Sequence, residues 1–595
     1  STEYDALGRV TKVIGPTDST ALPTVRYEYD PCLSTSGCAA PVRTTVHSRI
    51  RSGEAAVLTV HAFVDGLGRT IQTRSPAEDP AKQVVSGAAE FDARGLVIKQ
   101  WPPYLSSLST AYVPLNLEPS TLNLVAVSYT YDALGRLIKT TDPDGASGTT
   151  TYDDGTDTVT DALGHRTRRV SDASGRLVRV EEEHGLDTYA TTYQYDTLGH
   201  LLQVTDTQGN VTRMTYDSLG RKRTMDDPDM GRWTYAYDAV DNLLSQTDAR
   251  AVTMAFTYDA LNRLTQKAYT LPGGSGIADP GAVTYTYDDP AVSFSKSKIT
   301  KLVDGSGSAA FEYDRFGRIV KETKTIDGTP RTVQRTYDLF GRLLALTYPD
   351  TEAALYTYNP QGGLETIDLQ SPVSGLRSVV SDLDYNAAGQ VTRIAYGNGV
   401  VTDYSYDPQT LRLSSLRTTD FGLRTLQDFS YAFDHLGNVS AITDRVHTGT
   451  QSFQYDALSR LTQATGAYGT LTYAYDPLGN LTEKEGVQMT YGLLGGAKPH
   501  AVSGLQSPVS SLSFTYDANG NLLKKASDFG LPTSDFTAQR FAYDAENRLA
   551  EVQTGAEETV TLTLQPGWNF LALPVIPTNA SISSVLPASV TQVSR

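Results

Sequence analysis

Apolar and polar residues alternate along most of the chain, and the alternation is interrupted at short intervals by turn residues. In YTYDALGRL, Tyr129 and Tyr131 lie two residues apart, so they share one face of a strand. Asp132 and Gly135 separate them from Leu137, which opens a second strand-favouring run. The pattern predicts a β-hairpin with a loop of about four or five residues.

The same signature recurs along the chain as aromatic-x-Tyr-Asp-x-x-Gly-Arg/Asn-Leu. Asp196, Asp217, Asp238 and Asp259 follow one another at intervals of 21 residues. A fixed period is typical of repeat architectures, and a second turn signal such as TDPDG leads from one hairpin into the next. Because helical periodicity is nowhere sustained, we expect an all-β protein built as one long antiparallel sheet of hairpins.

Each turn is predicted to be capped by its Asp carboxylate, and its Gly is predicted to adopt a positive φ. The predicted turn residues are Asp132, Gly135, Asp196, Gly199, Asp217, Gly220, Asp238, Asp259, Asp314, Gly317, Asp476, Gly479, Asp517 and Gly520.

The tyrosines that precede these turns are predicted to form a ladder of aromatic pairs on neighbouring strands, each pair contributing about 0.2–1 kcal/mol. The predicted ladder consists of Tyr131, Tyr195, Tyr216, Tyr237, Tyr258, Tyr287, Tyr313, Tyr475, Tyr516 and Tyr543. A sheet of this length twists and curls rather than staying flat, so we expect it to coil and to have an inner and an outer face.

The charge and the hydropathy of the chain argue against two classes of partner, nucleic acids and the membrane interior. The net charge of −17 and the pI of about 5.0 disfavour a general nucleic-acid-binding role, because such surfaces are usually basic. No apolar run approaches the roughly 18–20 residues of a membrane span. The 35 Tyr outnumber the 16 Phe and 3 Trp together, which suits wide, partly hydrated sheets.

Two observations bear on chemistry. EEEH, Glu181 to His184, places three carboxylates beside an imidazole, where they either bind a cation or form a solvated loop. The Asp of the repeat recurs at every hairpin, whereas a catalytic pair of carboxylates is needed once. We therefore expect no catalytic residue, no cofactor and no metal site, and hence no enzyme.

The YDALGRL and YDxxGN repeats closely resemble the YD repeats of Rhs (rearrangement hotspot) proteins, of the C components of insecticidal toxin complexes and of the teneurin shell. The resemblance runs from about Tyr4 to Leu549, and KPHAVSGL, Lys498 to Leu505, is similar to late-repeat segments of Rhs proteins. It implies a hollow spiral β-shell. In bacterial members the shell encloses a C-terminal toxin; in teneurins it supports cell adhesion.

The chain departs from the toxin-bearing members of that family in one segment. Those members end their shell with an aspartyl autoprotease motif similar to DPxGxxGG. Asp476 to Gly479 has the first four letters of the motif but lies in the ordinary repeat turn YAYDPLGNL, so we expect no self-cleavage. We assign residues 1–549 to the repeat array and 550–595 to the start of a separate β module or to an interrupted repeat, and we interpret the chain as a piece of a longer protein.

Two functions remain open. The first is a structural shell segment of a secreted or cell-surface protein that encapsulates or presents a C-terminal toxin or effector. The second is an extracellular adhesion protein without cargo that binds cell-surface carbohydrate or protein. The downstream sequence distinguishes them, because an autoprotease segment followed by an unrelated domain favours the first and an anchor or adhesion module favours the second.

The only two cysteines, Cys32 and Cys38 in PCLSTSGCAAP, are predicted to form a small disulfide if the protein is made in an oxidising compartment. A single pair cannot complete a tetrahedral metal site. Mass spectrometry of the unreduced peptide should show the bridge, and two free thiols under those conditions would refute it.

Overall fold

The computed structural model describes residues 1–30, 41–114, 123–492, 498–508, 510–527, 538–554 and 558–560. Across these ranges the chain forms strands and turns and no helix, which confirms the all-β prediction. Accordingly, the described residues include no helix long and apolar enough to cross a membrane. Cys32 and Cys38 lie outside the described residues, and their pairing stays a prediction.

The first strands of the chain are β1 (Thr2–Tyr4), β2 (Val10–Val13), β3 (Val25–Tyr29), β4 (Val42–Arg49), β5 (Val57–Val64), β6 (Thr70–Pro76), β7 (Lys82–Ser86), β8 (Ala89–Phe91), β9 (Val97–Gln100), β10 (Tyr104–Ser107), β11 (Val127–Tyr131), β12 (Leu137–Thr141) and β13 (Ser147–Asp153). They are followed by β14 (Thr156–Thr160), β15 (Arg166–Ser171), β16 (Leu177–His184), β17 (Asp187–Tyr195), β18 (Leu201–Thr205), β19 (Val211–Tyr216), β20 (Lys222–Asp227), β21 (Gly231–Tyr237), β22 (Leu243–Thr247), β23 (Thr253–Tyr258), β24 (Leu264–Thr270), β25 (Val283–Tyr287) and β26 (Ile299–Asp304).

The second half of the chain begins with β27 (Gly307–Tyr313), β28 (Ile319–Ile326), β29 (Thr329–Tyr337), β30 (Leu343–Thr347), β31 (Ala353–Tyr358), β32 (Leu364–Ser371), β33 (Gly375–Tyr385), β34 (Val391–Tyr396), β35 (Val400–Tyr406), β36 (Leu413–Asp420), β37 (Arg424–Phe433) and β38 (Val439–Asp444). It ends with β39 (Gly449–Tyr455), β40 (Leu461–Gly466), β41 (Gly469–Tyr475), β42 (Leu481–Lys484), β43 (Val487–Tyr491), β44 (Val502–Gln506), β45 (Ser511–Tyr516), β46 (Leu522–Ser527), β47 (Gln539–Tyr543), β48 (Leu549–Thr554) and β49 (Glu558–Val560).

The strands form two antiparallel ladders. The N-terminal ladder has the order β1-β2-β3-β4-β5-β6-β7-β10. In the second ladder β8 pairs with β9 and β9 with β11, and from β11 onwards each strand pairs with its successor in sequence up to β49. The ladders adjoin where Arg69 stacks over the Phe91 ring, 4.2 Å from its centroid. The fold is therefore a succession of hairpins, as the repeat predicts.

A β-bulge recurs at the end of the first strand of most repeats. In β11 and β12, Thr130 pairs with Lys139 but Tyr131 pairs with Leu137, so one extra residue enters the return strand. The same register shift occurs at Tyr195 and Tyr216, among others. Bulges bend a strand and increase its right-handed twist. Their repetition gives the sheet a regular source of curvature.

The two edges of the sheet have different turns, because consecutive turns of an antiparallel meander alternate between edges. The Tyr-Asp turns, such as Asp132–Arg136 and Asp217–Arg221, lie on one edge, which we call the YD edge. The turns between them, such as Asp142–Ala146, lie on the other edge, which we call the return edge.

The sheet coils so that the YD edge of its second half lies on the return edge of its first half. Lys498 Nζ donates to the Asp229 carbonyl across 269 residues, and the Tyr385 N–H donates to a Glu78 carboxylate oxygen across 307 residues. Other contacts along this seam have intermediate separations. The chain thus makes about two coil turns, the first comprising β1–β26 and the second β27–β49.

Coiling leaves both faces of the sheet accessible. The accessible surface is 34,011 Å², compared with about 20,000 Å² expected for a compact monomer of this mass. Strands such as β21 and β39 alternate between half-buried and exposed residues. The structure is therefore a hollow coiled wall, which confirms the predicted fold class.

The register of the predicted tyrosine ladder is different from the one expected. Tyr216 lies on β19 and Tyr237 on β21, so the return strand β20 separates them. Equivalent tyrosines are therefore two strands, or about 10 Å, apart. The expected direct pairing on neighbouring strands is wrong, because each repeat contributes two strands rather than one.

A buried ion pair lies in the last part of the seam. The Arg250 side chain is 5% exposed and pairs at 2.9 Å with the Asp248 carboxylate, which is 1% exposed. The same guanidinium donates to the Asp544 and Ala545 carbonyls of the second coil turn. Asn519 Nδ2 donates to the Asp248 carboxylate from the same side. Arg250 thus contributes several of the polar contacts that join the two coil turns.

We expect Arg250→Met to lower the free energy of unfolding by about 3 kcal/mol, because the substitution leaves a buried carboxylate without its cation. Urea denaturation measures the loss. Arg213→Met, which removes an exposed arginine of β19, is the matched control and should leave the free energy unchanged. Equal stability of the two variants would contradict this account of the seam.

Candidate functional site

The repeated functional unit is the YD turn, and its Asp carboxylate makes three hydrogen bonds. In the first complete example, the N–H groups of Leu134 and Arg136 each donate to Asp132 Oδ1 at 2.9 Å. Arg136 Nε donates to the other oxygen, Oδ2, at 2.7 Å. The backbone closes the loop, since the Gly135 N–H donates to the Asp132 carbonyl. Both carboxylate oxygens are occupied by the turn itself.

The glycine of the turn has the conformation that its position predicts. Gly135 has φ +83°, in the left-handed region where a Cβ is unfavourable. The other predicted glycines have the same conformation: Gly199, Gly220, Gly317, Gly479 and Gly520. In the turns that begin at Asp238 and Asp259, Asp241 and Asn262 take the position with φ +70° and +59°, and Asp and Asn tolerate this region best among residues with side chains.

The tyrosine before the Asp reaches back to the preceding hairpin. The Tyr258 hydroxyl donates to the Leu243 carbonyl at 3.0 Å, where the previous return strand begins. Equivalent bonds of 2.5–3.1 Å are made by Tyr131, Tyr195, Tyr216, Tyr237, Tyr287, Tyr313, Tyr475 and Tyr516. Tyr543 likewise contacts the Leu522 backbone. The ladder is therefore linked by hydroxyl–carbonyl bonds.

The arginine at the end of each turn contacts the next hairpin. The Arg221 guanidinium lies 5.0 Å from the centroid of the Tyr237 ring, and its Nη1 donates to the Asp238 carbonyl at 2.6 Å. Arg136 over Tyr152, Arg176 over Tyr195, Arg263 over Tyr287, Arg318 over Tyr337 and Arg460 over Tyr475 repeat the stacking at 4.2–5.2 Å. Each hairpin is therefore joined to its neighbour by three contacts. They are the hydrogen bond from the tyrosine hydroxyl, the cation–π contact of the arginine, and the hydrogen bond from its guanidinium.

Asparagine and histidine replace this arginine in some repeats. Asn242 Nδ2 donates both to Asp238 Oδ2 and to Asn262 of the next turn. His200 Nδ1 lies 2.8 Å from Asp196 Oδ2, and its ring stacks on Tyr216. Both substitutes keep a donor on the carboxylate and a contact to the following repeat.

The electrostatics of the turn follow from these contacts. Backbone N–H donors hold the pKa of Asp132, Asp217 and Asp259 below the ordinary carboxyl value, with the arginine of the same turn adding to the effect. Burial raises the pKa of Tyr258 and Tyr313. Each turn therefore combines a charged, satisfied carboxylate with a neutral phenol, an arrangement suited to structural rather than proton-transfer roles.

The seam has a second polar centre at Lys498, the first residue of KPHAVSGL. Its Nζ donates to the Asp229 and Ala518 carbonyls at 2.6 and 3.0 Å, and burial lowers its pKa. His500 Nδ1 lies 2.6 Å from Asp229 Oδ2. A cavity of about 410 Å³ lies beside these residues. The sequence shows only that this segment resembles late-repeat segments. Its contacts in the structure show that it joins the two coil turns.

The other sequence candidates lie in ordinary structural positions. In EEEH, Glu181 pairs with Arg168 and Arg179, while His184 stacks on Tyr189 and lies 3.4 Å from Asp456 of the next coil turn. In the part of the chain that the structure describes, no three His, Cys, Asp or Glu side chains converge to hold a metal ion. The Asp476 turn has the same capping bonds as the other repeat turns.

Comparison with protein families decides the identity of the repeat. The family model of the RHS repeat matches residues 124–147, 195–229, 237–275, 385–422 and 433–471. These five ranges of the chain are RHS repeats. The matched ranges include the turns that begin at Asp132, Asp217 and Asp259, so the RHS repeat contains the residues that join these hairpins to their neighbours.

A relative that matches part of this chain is a toxin subunit. YenC1 of Yersinia entomophaga, a "toxin subunit", is 31% identical over 150 residues, which cover 23% of this chain and 15% of the relative. The alignment thus spans only a small part of the relative's length.

Solved structures share the coiled RHS fold. The TcdB2–TccC3 crystal structure superposes with a TM-score of 0.78 at 19% identity, covering 95% of this chain and 35% of that one. A second crystal structure, of TcdB2–TccC3 without its hypervariable C-terminal region, gives a TM-score of 0.77 at 18% identity, covering 94% and 36%. The chain spans about a third of the length of those proteins.

The turn at Asp65 offers a matched pair of glycines. Gly68 has φ +79° whereas Gly66 lies outside the left-handed region, and a Cβ at either position would meet no atom within 4 Å. Gly68→Ala should cost about 1 kcal/mol from backbone strain alone. Gly66→Ala should be neutral or stabilise by about 0.4–1 kcal/mol. Thermal melting of both variants tests the assignment, and an equal response would contradict it.

The tyrosine hydroxyl is tested with Tyr258→Phe, which leaves the Leu243 carbonyl without its donor. The expected loss is about 1 kcal/mol of unfolding free energy. Tyr235→Phe is the control, because the Tyr235 hydroxyl makes no hydrogen bond within the described residues. If the two variants denature at the same urea concentration, the hydroxyl bond does not stabilise the ladder.

Proposed function

We propose that the chain is the wall of a shell that encloses or presents a C-terminal toxin or effector domain. The coil supports this proposal most directly: two turns of sheet are joined by a continuous seam, and both sheet faces remain accessible to solvent. A wall with an accessible inner face has room for a guest, whereas a packed core has none.

The likeness to TcdB2–TccC3 supports the same proposal. One of those structures is described as lacking a hypervariable C-terminal region, so in that protein the shared fold is accompanied by a variable segment. We propose that a variable cargo segment accompanies this wall in the same way. Its secretion or display on a cell surface, and cargo of the same chain as its main partner, are part of this proposal.

The chemistry of the turns supports a non-catalytic wall. Each Asp carboxylate already accepts backbone N–H groups and a side-chain donor of its own turn, as at Asp217 and Asp259. A carboxylate so occupied, with a lowered pKa, is poorly suited to act as a general acid. We therefore propose that the cargo, and not the wall, carries any enzymatic activity.

We keep residues 1–549 as the repeat array and 550–595 as the start of a separate β module or an interrupted repeat in this proposal. The sheet itself continues past Leu549, since β48 pairs with β47 and β49 pairs with β48. Residues 561–595 lie outside the described residues. The adhesion alternative, in which the wall binds carbohydrate without cargo, has no specific contact in its favour.

Encapsulation is tested by fusing a destabilised, protease-sensitive guest domain after Arg595. We expect the guest to resist trypsin much longer than the free guest, because the wall excludes the protease. In the Arg250→Met variant the seam is weakened and the guest should become sensitive, whereas Arg213→Met should still protect it. Digestion of the fused guest at the rate of the free guest would contradict the proposal.

A further inference from the structure

Three of the eight histidines of the chain lie across the seam, each beside an aspartate of the other coil turn. The pairs, with the distance from ring nitrogen to carboxylate oxygen, are His184 and Asp456 at 3.4 Å, His435 and Asp144 at 3.8 Å, and His500 and Asp229 at 2.6 Å. Histidine is the side chain that ordinarily changes charge between about pH 5 and about pH 8. Proton uptake in that range turns each contact into an ion pair between the coil turns.

Permanent cations share two of these carboxylates. Arg412 Nη1 lies 3.7 Å from Asp144 Oδ2, and Arg460 Nε lies 2.7 Å from Asp456 Oδ2. The other titratable groups around the imidazoles are Tyr189, which stacks on His184, and Lys498 with Asp227 and Asp517 near His500. An arginine keeps its charge at all these pH values, so the charge that varies in the contacts is that of the imidazole.

Protonation of these imidazoles favours the closed seam. A protonated imidazole attracts the carboxylate of the other coil turn, whereas a neutral imidazole offers it at most a hydrogen bond. When the seam opens, the two groups separate and the attraction is lost. Acid therefore shifts the balance towards the closed seam.

A cluster of carboxylates at the other end of the seam responds to protons as well. Glu78 of the first coil turn accepts a hydrogen bond from the Tyr385 N–H of the second. Burial raises the pKa of Glu365 on β32, and neighbouring carboxylates raise it further. These carboxylates are Glu78, Asp382 and Asp384, of which Asp384 also faces Arg393. Glu365 Oε2 is buried and has no hydrogen-bond partner among the described residues.

The carboxylate cluster acts in the same direction as the histidines. When Glu365 is ionised, it repels Glu78 of the other coil turn, and protonation removes the repulsion. Because the pKa of Glu365 is raised in the closed seam, its protonation favours closing below that pKa, and this contribution is lost as the pH rises through it. The capping carboxylates Asp132 and Asp217 have a lowered pKa and stay ionised in mild acid, so the turns themselves keep their bonds.

We propose that the seam is a pH-responsive joint that closes more firmly in acid. As the pH falls from about 8 to about 5, the seam takes up protons and its two coil turns are drawn together; as the pH rises, the seam loosens. The groups that take up the protons are His184, His435, His500 and Glu365. This response belongs to the seam itself and does not depend on an enclosed guest.

The opening of the seam is measured by the reactivity of a thiol placed in it. Ala77 and Ala146, which are 2% and 7% exposed, lie in return turns of the first coil turn. Ala77→Cys and Ala146→Cys are each made in a chain that carries Cys32→Ser and Cys38→Ser. The rate of labelling by N-ethylmaleimide is divided by the rate in urea at the same pH, which removes the titration of the thiol.

The normalised rate at both seam thiols should rise about fivefold from about pH 5 to about pH 8, since an exposed ion pair changes an equilibrium by a factor of about 1.5 to 5. Ala354→Cys is the control thiol. Ala354 is 5% exposed and lies on β31 next to a return turn of the second coil turn, away from the seam. Its normalised rate should not change with pH.

Two histidine variants, made with the Ala146→Cys thiol, separate the seam from the turns. The seam variant replaces the three histidines of the seam: His184→Gln, His435→Gln and His500→Gln. The control variant replaces three histidines that lie 2.8–2.9 Å from an aspartate of their own turn: His165→Gln, His200→Gln and His447→Gln. The seam variant should label in acid as fast as the parent does in alkali, and the control variant should keep the parent's pH dependence.

Glu365→Gln, made with the Ala77→Cys thiol, should have the opposite effect. It removes the repulsion at every pH, so labelling in alkali should fall to the rate in acid. Glu312→Gln, which neutralises an exposed carboxylate of β27, is its control and should label like the parent. Circular dichroism at each pH verifies that the sheet is intact. Seam thiols that label equally at both ends of the pH range, or histidine variants that behave alike, would overturn the proposal.

Discussion

The hydrogen bonds to one carboxylate in each hairpin underlie the whole architecture. The Asp of the YD turn accepts two backbone N–H groups on one oxygen and a side-chain donor on the other, as Asp132 does from Leu134 and Arg136. This capping holds a five-residue loop closed from Asp N–H to the carbonyl four residues on. The loop in turn sets the bulge at the preceding tyrosine, and repeated bulges bend the sheet into a coil.

The tyrosine and the arginine of the repeat connect each hairpin to its neighbour. Tyr237 donates to the carbonyl of Lys222 in the preceding repeat, while Arg221 of that repeat stacks on its ring. Each contact contributes about 0.5–1.5 kcal/mol, which is small for one hairpin. Because the contacts recur along the array, their summed contributions stabilise a sheet that has only a small hydrophobic core. The seam then adds a few buried ionic contacts, at Arg250 and Lys498, that join coil turns rather than hairpins.

The local elements could be predicted from the sequence because their determinants lie within one repeat. Tyr129 and Tyr131 show the strand period, and Asp132 and Gly135 show the turn. The positive φ at each predicted glycine follows from the same turn chemistry. The register of the tyrosines differs from the expected one because a repeat spans two strands. The role of the arginine is not evident within one repeat, since its contact lies in the next.

The seam could not be predicted in this way. Its contacts join residues 269 to 307 positions apart, and no local pattern specifies which turns meet. KPHAVSGL resembles late-repeat segments in sequence, yet the burial of Lys498 depends on the coil turn beside it. Leu134 and Leu458 occupy the same position of the turn, yet Leu134 is exposed and Leu458 is half-buried.

The central claim, that the chain is a hollow coiled wall, is tested most directly by small-angle X-ray scattering of the monomer. A compact protein of 595 residues has a radius of gyration of about 25 Å. The account predicts a clearly larger radius, with a distance distribution weighted towards long distances, as expected when mass lies in a wall around a solvent-filled interior. A radius near the compact value with a symmetric distribution would contradict it.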